Sequence, residues 1–269
     1  MHAAKLPTGT VYLVGAGPGA ADLLTMRAVR LLERADVIVH DRLVSEEILA
    51  LANPAAERIY VGKRRAEHCL PQEGINDLLV RLAHLHGCVV RLKGGDPLIF
   101  GRGGEEAEAL AAAGIEVQIV PGVTAALACA AQAGIPLTHR GVSRSVTFVT
   151  GHTKDGVLEV DFFGLARSLA APGGGTVAVY MGIVTLPALA EGLAAHGLDP
   201  QIPAALIERG GSPRQRELRG TLAGIAEQAH GWSSGGPALL IIGEVAGLPK
   251  FTLPQGTGAE ASVSADDTQ

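Results

Sequence analysis

The chain has 269 residues, with 27 Asp or Glu against 22 Lys or Arg, a formal net charge of −5, and 47% apolar but only 3% aromatic residues. That length buries a sizeable core as one large domain or two smaller ones, and an acidic balance argues against a general nucleic-acid binder. No apolar run is long enough to span a bilayer, and Met1 to Gly9 has no hydrophobic stretch of the secretion-signal kind, so the expected compartment is the cytoplasm.

In chain order, Thr10 to Val14 reads as a strand, followed by a helix capped by Asp22 and running to about Ala35. Val37 to Val39, Ile59 to Val61, Val89 to Leu92 and Val117 to Val120 read as further strands, with helical periodicity between them, as over Ile75 to Leu85. Residues 8–121 therefore form a five-stranded, mainly parallel α/β unit, broken near Pro121-Gly122. Residues 122–250 form a second α/β unit. Its expected strands are Val146 to Val149, Val177 to Tyr180, Ala204 to Ile207, a polar edge strand over Arg214 to Arg219, and Ala238 to Ile242. Residues 251–269 are small, polar and acidic and read as a disordered tail.

The cysteines Cys69, Cys88 and Cys129 are odd in number and widely spaced, so no disulfide is expected. His68-Cys69 and the His84, His86, Cys88 group lack the spacing of a structural zinc module, so no metal is expected. Charge is unevenly spread. Arg58 to Arg102 carries eight Lys or Arg against four Asp or Glu, densest at Lys63-Arg64-Arg65. A solvated face is the ordinary reading of such a run. Here it leads into a glycine-rich loop, which favours a site for a polyanionic small molecule.

That loop is Gly94-Gly95-Asp96-Pro97-Leu98-Ile99-Phe100-Gly101-Arg102-Gly103-Gly104-Glu105-Glu106. It joins an apolar strand to a helix with acids in its first turn. Five glycines there let a ligand approach the backbone closely, at the carboxyl end of a strand where open α/β sheets bind small molecules. A loose dinucleotide fingerprint also exists: Gly15-x-Gly17-x-x-Ala20, with the acid Asp41 about 20 residues on. Two details oppose a nicotinamide oxidoreductase. Pro18 has no N–H to give a pyrophosphate, and Asp22 at a helix start would occupy the positive end with a carboxylate.

The glycine-rich run resembles the signature of the tetrapyrrole C-methyltransferases. Val14 to Gly19, Pro121 to Ala125, Gly134 to Arg140 and Tyr180-Met181-Gly182 agree in the same order, so the resemblance spans roughly residues 8 to 248. It implies two α/β domains with mainly parallel or mixed five-stranded sheets, an active-site cleft between them, and a homodimer. It implies S-adenosylmethionine as co-substrate, held by positions matching Pro18, Gly94, Gly95, Asp96, Ile99, Thr124, Ala125, Met181, Gly210 and Ala238. Within the family the likeness is greatest to the enzymes that methylate uroporphyrinogen III twice, at C2 and C7, through precorrin-1 to precorrin-2, on routes to sirohaem and cobalamin. A sister enzyme acting on a later corrin precursor is the alternative. For an octacarboxylate substrate, Arg102 and Arg140 are the matching cations, with Glu105 placed to orient Arg102 and Met181 at the substrate as well. Asp41 and Lys63 match the family's proton acceptor and proton donor.

Overall fold

The structure is a computed structural model that describes residues 8–62, 70–153 and 157–251. Lys63, Arg64, Arg65, His68, Cys69 and the tail from 252 on lie outside the described residues.

The first sheet contains β1 (Thr10–Gly15), β2 (Val37–His40), β3 (Glu57–Tyr60), β4 (Cys88–Lys93) and β5 (Val117–Val120), in the order β3-β2-β4-β1-β5. All its pairings are parallel, with Val11 opposite Val89 and Val37 also opposite Val89. Strands alternate faces. Val14, Ile38, Val90 and Leu92 pack with Leu31, Leu32 and Ile48 of α1 (Met26–Arg34) and α2 (Glu46–Ala50). Val11, Leu13, Val37, Val39 and Val89 pack on the opposite face with Leu79, Leu82 and Leu110 of α3 (Gln72–Leu85) and α4 (Gly103–Ala112). Arg91 and Lys93 continue the Val89 face. Two charges thus replace apolar residues in a core-facing row.

One helix start differs from expectation. Asp22 lies in a short 3-10 turn, Ala21–Leu23, and Thr25 caps α1 instead, its Oγ1 accepting the Ala28 N–H at 3.2 Å. Thr25 alone has extended backbone directly before the first helical turn, which is what an N-cap requires.

The second sheet contains β6 (Ser145–Thr150), β7 (Gly175–Tyr180), β8 (Pro203–Glu208), β9 (Arg216–Thr221) and β10 (Ala238–Ile242), in the order β6-β7-β10-β8-β9. Only β6 and β7 are parallel; the other pairs are antiparallel. The polar segment after Pro213 is an edge strand, β9, as its sequence suggested. One face carries α6 (Phe162–Ala170), α7 (Leu186–Ala195) and α8 (Leu222–Trp232) over Val177, Val179, Leu206 and Leu240. The other carries α5 (Ala125–Ala133), whose Ala126, Cys129 and Ala130 lie against Ala178, Ala205 and Leu239. Alanines facing alanines let this helix sit close to the sheet, and Ile99 of the glycine-rich loop packs against the same cluster. The loop after β4 therefore reaches the second sheet.

Candidate active site

The loops at the carboxyl ends of β1, β4 and β5 are locked together by backbone. Gly17 and Gly95 exchange two hydrogen bonds, 3.1 and 2.7 Å. Around them, a Cβ on Gly15 would stand 2.5 Å from the Gly122 nitrogen, and one on Gly122 would stand 2.3 Å from the Gly95 oxygen. These contacts admit only glycine. They also answer the dinucleotide reading. The Asp22 cap argued against it is absent, but the Gly17 N–H is already spent on Gly95 and is withdrawn from any pyrophosphate.

Asp96 joins the same junction. Its Oδ1 accepts the Leu98 N–H at 2.9 Å and its Oδ2 accepts the Gly122 N–H at 3.1 Å. The carboxylate expected to meet a ligand thus first ties the β4 loop to the β5 loop. Each oxygen keeps a further lone pair for a ligand donor. Gly94 lies against Leu43, where a Cβ would stand 2.6 Å from the Leu43 Cβ.

The second sheet meets this junction through Tyr180, at the end of β7. Its hydroxyl shares a 2.7 Å hydrogen bond with Thr124 Oγ1 and accepts the Ala126 N–H at 3.1 Å. Its ring packs on Phe100, centroids 4.9 Å apart. Thr124 and Ala125 open α5, so the hydroxyl of Thr124 is turned to Tyr180 rather than capping its own helix. Pro18 abuts Gly211, and Gly210 sits on Cys129, where a Cβ would meet the sulfur at 2.2 Å. Burial pushes the Cys129 thiol up to about 12, so this sulfur is an inert packing atom. Ala238 opens β10 opposite Glu208, beside the same loop.

Four non-glycine residues have left-handed backbone: Phe100, Arg102, Met181 and Arg209, with φ of 51 to 59°. They stand in the loops after β4, β7 and β8. Such conformations cost about 1 kcal/mol or more each and cluster at functional sites. Met181, which a core role would have buried, is exposed.

Arg102 stands at the N-cap position of α4 in this left-handed conformation, its side chain making no hydrogen bond to the helix start. Its Nε and Nη2 donate to the two oxygens of Glu105 at 2.8 and 2.7 Å. That hydrogen bond holds the Glu105 carboxyl below its usual range and raises Arg102. A guanidinium has five N–H donors; two are engaged here, leaving three for a substrate carboxylate. Asp41 follows β2, one oxygen accepting the Leu43 N–H at 2.9 Å and the other 3.7 Å from Arg91 Nη2.

Arg140 is not brought to this cleft. It belongs to the turn around His139 and Ser143, whose chain enters β6 opposite Gly175, the amino end of β7. Tyr180 and Met181 are at the carboxyl end, and five steps of about 3.3 Å put the two ends roughly 17 Å apart. That turn sets Arg140 toward the amino end of β7.

The sequence reading passed over Tyr180 as a contact, and over Arg91, Lys93 and Glu106, which are buried together beneath the glycine-rich loop. Charges at alternate positions of an otherwise apolar strand were the available signal. Burial, then Arg91, pushes the Lys93 amine down, against Glu106 and Asp41. Among the described residues no three His, Cys, Asp or Glu are grouped to hold a metal ion.

Glu208 supports the cleft from β8. Fully buried, it accepts from the Ser233 and Ser234 hydroxyls and the Ser234 and Gly236 N–H groups at 2.7 to 3.0 Å. Burial pushes its carboxyl up, but the hydrogen bonds from Ser234, Gly236 and Ser233 together hold it below the usual range. The stabilisation is present above the unfolded carboxyl's range and is lost as pH falls through the folded one. Glu208→Gln should cost about 2–4 kcal/mol at neutral pH. Thermal melts from pH 6 to pH 3 should show a weaker acid loss in the variant than in the parent.

The sequence matches the family of tetrapyrrole (corrin/porphyrin) methylases over residues 10–226. A siroheme synthase of Pseudomonas paraeruginosa is 56% identical over 245 residues, which are 91% of this chain and 52% of that protein. The chain thus spans about half of that relative's length. Among solved structures, the uroporphyrin-III C-methyltransferase of Thermus thermophilus complexed with S-adenosyl homocysteine is 44% identical, with a TM-score of 0.75 over 88% of this chain and 98% of that one. A cobalt precorrin-4 methyltransferase has a TM-score of 0.76 at 25% identity, over 88% of this chain and 95% of that one. With its two sheets, its locked glycine loops and this match over most of its length, the chain belongs to the tetrapyrrole methylase family.

Proposed function

We propose that the chain transfers methyl groups from S-adenosylmethionine to C2 and C7 of uroporphyrinogen III, giving precorrin-2 by way of precorrin-1. The observation that carries this reading is the convergence of the loops after β1, β4 and β5 with those after β7 and β8 on one cleft. The structural relative bound to S-adenosyl homocysteine, the product such a transfer leaves, supports it. The greater identity to that relative than to the precorrin-4 enzyme, 44% against 25%, favours uroporphyrinogen III over a later corrin precursor.

Ile99 offers an apolar wall for the adenine, Asp96 and the Gly94-Gly95 backbone offer polar contacts, and Pro18, Thr124, Ala125, Met181, Gly210 and Ala238 complete the cradle. The sulfonium supplies the methyl: its C–S bond breaks as the ring-carbon bond forms, and the macrocycle then loses a proton. The protein's share is alignment and exclusion of water. Arg102, steadied by Glu105, grips a substrate carboxylate and fixes which carbon faces the methyl; Asp41 takes the proton. Lys63, read as proton donor, belongs to a segment outside the described residues.

Incubation with enzymatically made uroporphyrinogen III and S-adenosylmethionine, followed by mass spectrometry of the oxidised product, tests the proposal. Two added methyl groups are expected; none, with methylation of a later corrinoid, would move the chain to a sister activity. Arg102→Lys keeps the charge but loses the fork, so kcat/KM should fall roughly 10- to 100-fold with little change in cofactor affinity.

The same reading takes the chain as a cytoplasmic homodimer. Leu98, Leu127 and Val184 are each more than half exposed, apolar surface that a second copy would cover. Light scattering should give twice the monomer mass of 27.6 kDa; the monomer value would contradict it.

A further inference from the structure

Beneath the glycine-rich loop lies a charged group that the methyl transfer outlined above does not use. Glu106, fully buried on α4, concentrates three donors on its Oε1: Arg91 Nε at 3.2 Å, Lys93 Nζ at 2.9 Å and Gln72 Nε2 at 3.2 Å. Its Oε2 is buried with no hydrogen-bond partner among the described residues. Arg91 is held from its other side as well, Nη1 donating to the Val39 and Leu92 carbonyls at 3.4 and 3.2 Å. That leaves Nη2 facing Asp41 Oδ2 at 3.7 Å.

Buried ions of this kind seldom add stability. Apolar residues of similar volume are often as good or better, and the rest of this face of the first sheet is built from Val and Leu. The network ends at a carboxylate that is 27% exposed, in the loop after β2, whereas Arg91, Lys93 and Glu106 are sealed off. Its two cations are matched by two carboxylates, so the loss of any one of the four leaves an unmatched charge.

We propose that Arg91, Lys93 and Glu106 form a positioning network for Asp41. Glu106 offsets Lys93 and clamps Arg91, and Arg91 with the Leu43 N–H fixes the Asp41 carboxylate toward the substrate. The inference rests on Asp41 as the proton acceptor. Glu106 touches no substrate; it acts through Asp41.

A double-mutant cycle on kcat separates this from a merely structural role. Asp41→Asn should lower kcat about 100-fold or more, the worth of a positioned general base. Glu106→Gln in the parent should lower kcat roughly tenfold or more, with the KM for uroporphyrinogen III and the Kd for S-adenosylmethionine within about threefold. In the Asp41→Asn background the same change should cost less than about twofold, because the group it positions is already gone. Equal losses in both backgrounds, or an unchanged kcat in folded Glu106→Gln, would overturn the network while leaving Asp41 its role. Parent-like kcat in Asp41→Asn would remove the proton-acceptor reading and the network with it. Should Glu106→Gln fail to fold, Lys93→Met with Glu106→Gln in the parent leaves Arg91 and Asp41 as a balanced pair; its kcat should still fall roughly tenfold with KM and Kd within about threefold, and a parent-like kcat would overturn the network.

Discussion

Gly122→Ala should destabilise the protein by roughly 2–4 kcal/mol and abolish detectable binding of S-adenosylmethionine. The new Cβ would stand 2.3 Å from the Gly95 carbonyl and 2.8 Å from the Gly15 Cα, and both are backbone. No side chain can turn aside to make room. The loops after β1, β4 and β5 would have to part, breaking the Gly17–Gly95 pair and the Asp96 bond to the Gly122 N–H. Gly104→Ala is the control. It lies in α4 with nothing within 4 Å of its added carbon, and there alanine should stabilise by about 0.5–1 kcal/mol. Denaturant melts and calorimetry on the two variants should therefore move in opposite directions. Equal stabilities would show that the glycine junction is not rigid.

Asp96→Ala should weaken S-adenosylmethionine binding by about 100-fold or more. Two backbone N–H groups, of Leu98 and Gly122, lose a charged acceptor, and hydrogen bonds to charged groups contribute about 1.5–3 kcal/mol each. The loss comes from the shape of the loop as much as from any direct contact. Asp96→Asn separates the two effects. It keeps an oxygen for one donor but turns an amide nitrogen on the other, so its affinity should fall between parent and Asp96→Ala. Titration calorimetry reads both. An alanine variant with parent affinity would leave the carboxylate with neither role.

Much of this was written in the chain. Runs of three to five mostly apolar residues, separated by helical periodicity, define nine of the ten strands to within two residues, and the polar β9 was marked as an edge by Pro213 and Gly220. Period-2 and period-3.6 patterns are local properties that survive any tertiary arrangement. The glycine-rich run also announced a loop packed against other backbone, because only backbone geometry needs so many glycines.

What the sequence left open depends on where distant segments meet. Thr25 rather than Asp22 caps α1 because the chain turns once more after Pro18, a detail of backbone angles that two good capping residues three apart do not reveal. Arg102 and Arg140 look equivalent in sequence, yet strand direction puts one at the carboxyl edge of a sheet and the other at the opposite edge. Arg91 and Lys93 read as ordinary charges until Glu106, on the following helix, is seen to meet them in a dry core. Tyr180 shows its purpose only when the chain leaving β5 turns into α5 and presents Thr124 to its hydroxyl. Local patterns decide which elements form. Long-range packing decides which polar groups are desolvated together, and that is where the chemistry of this chain is set.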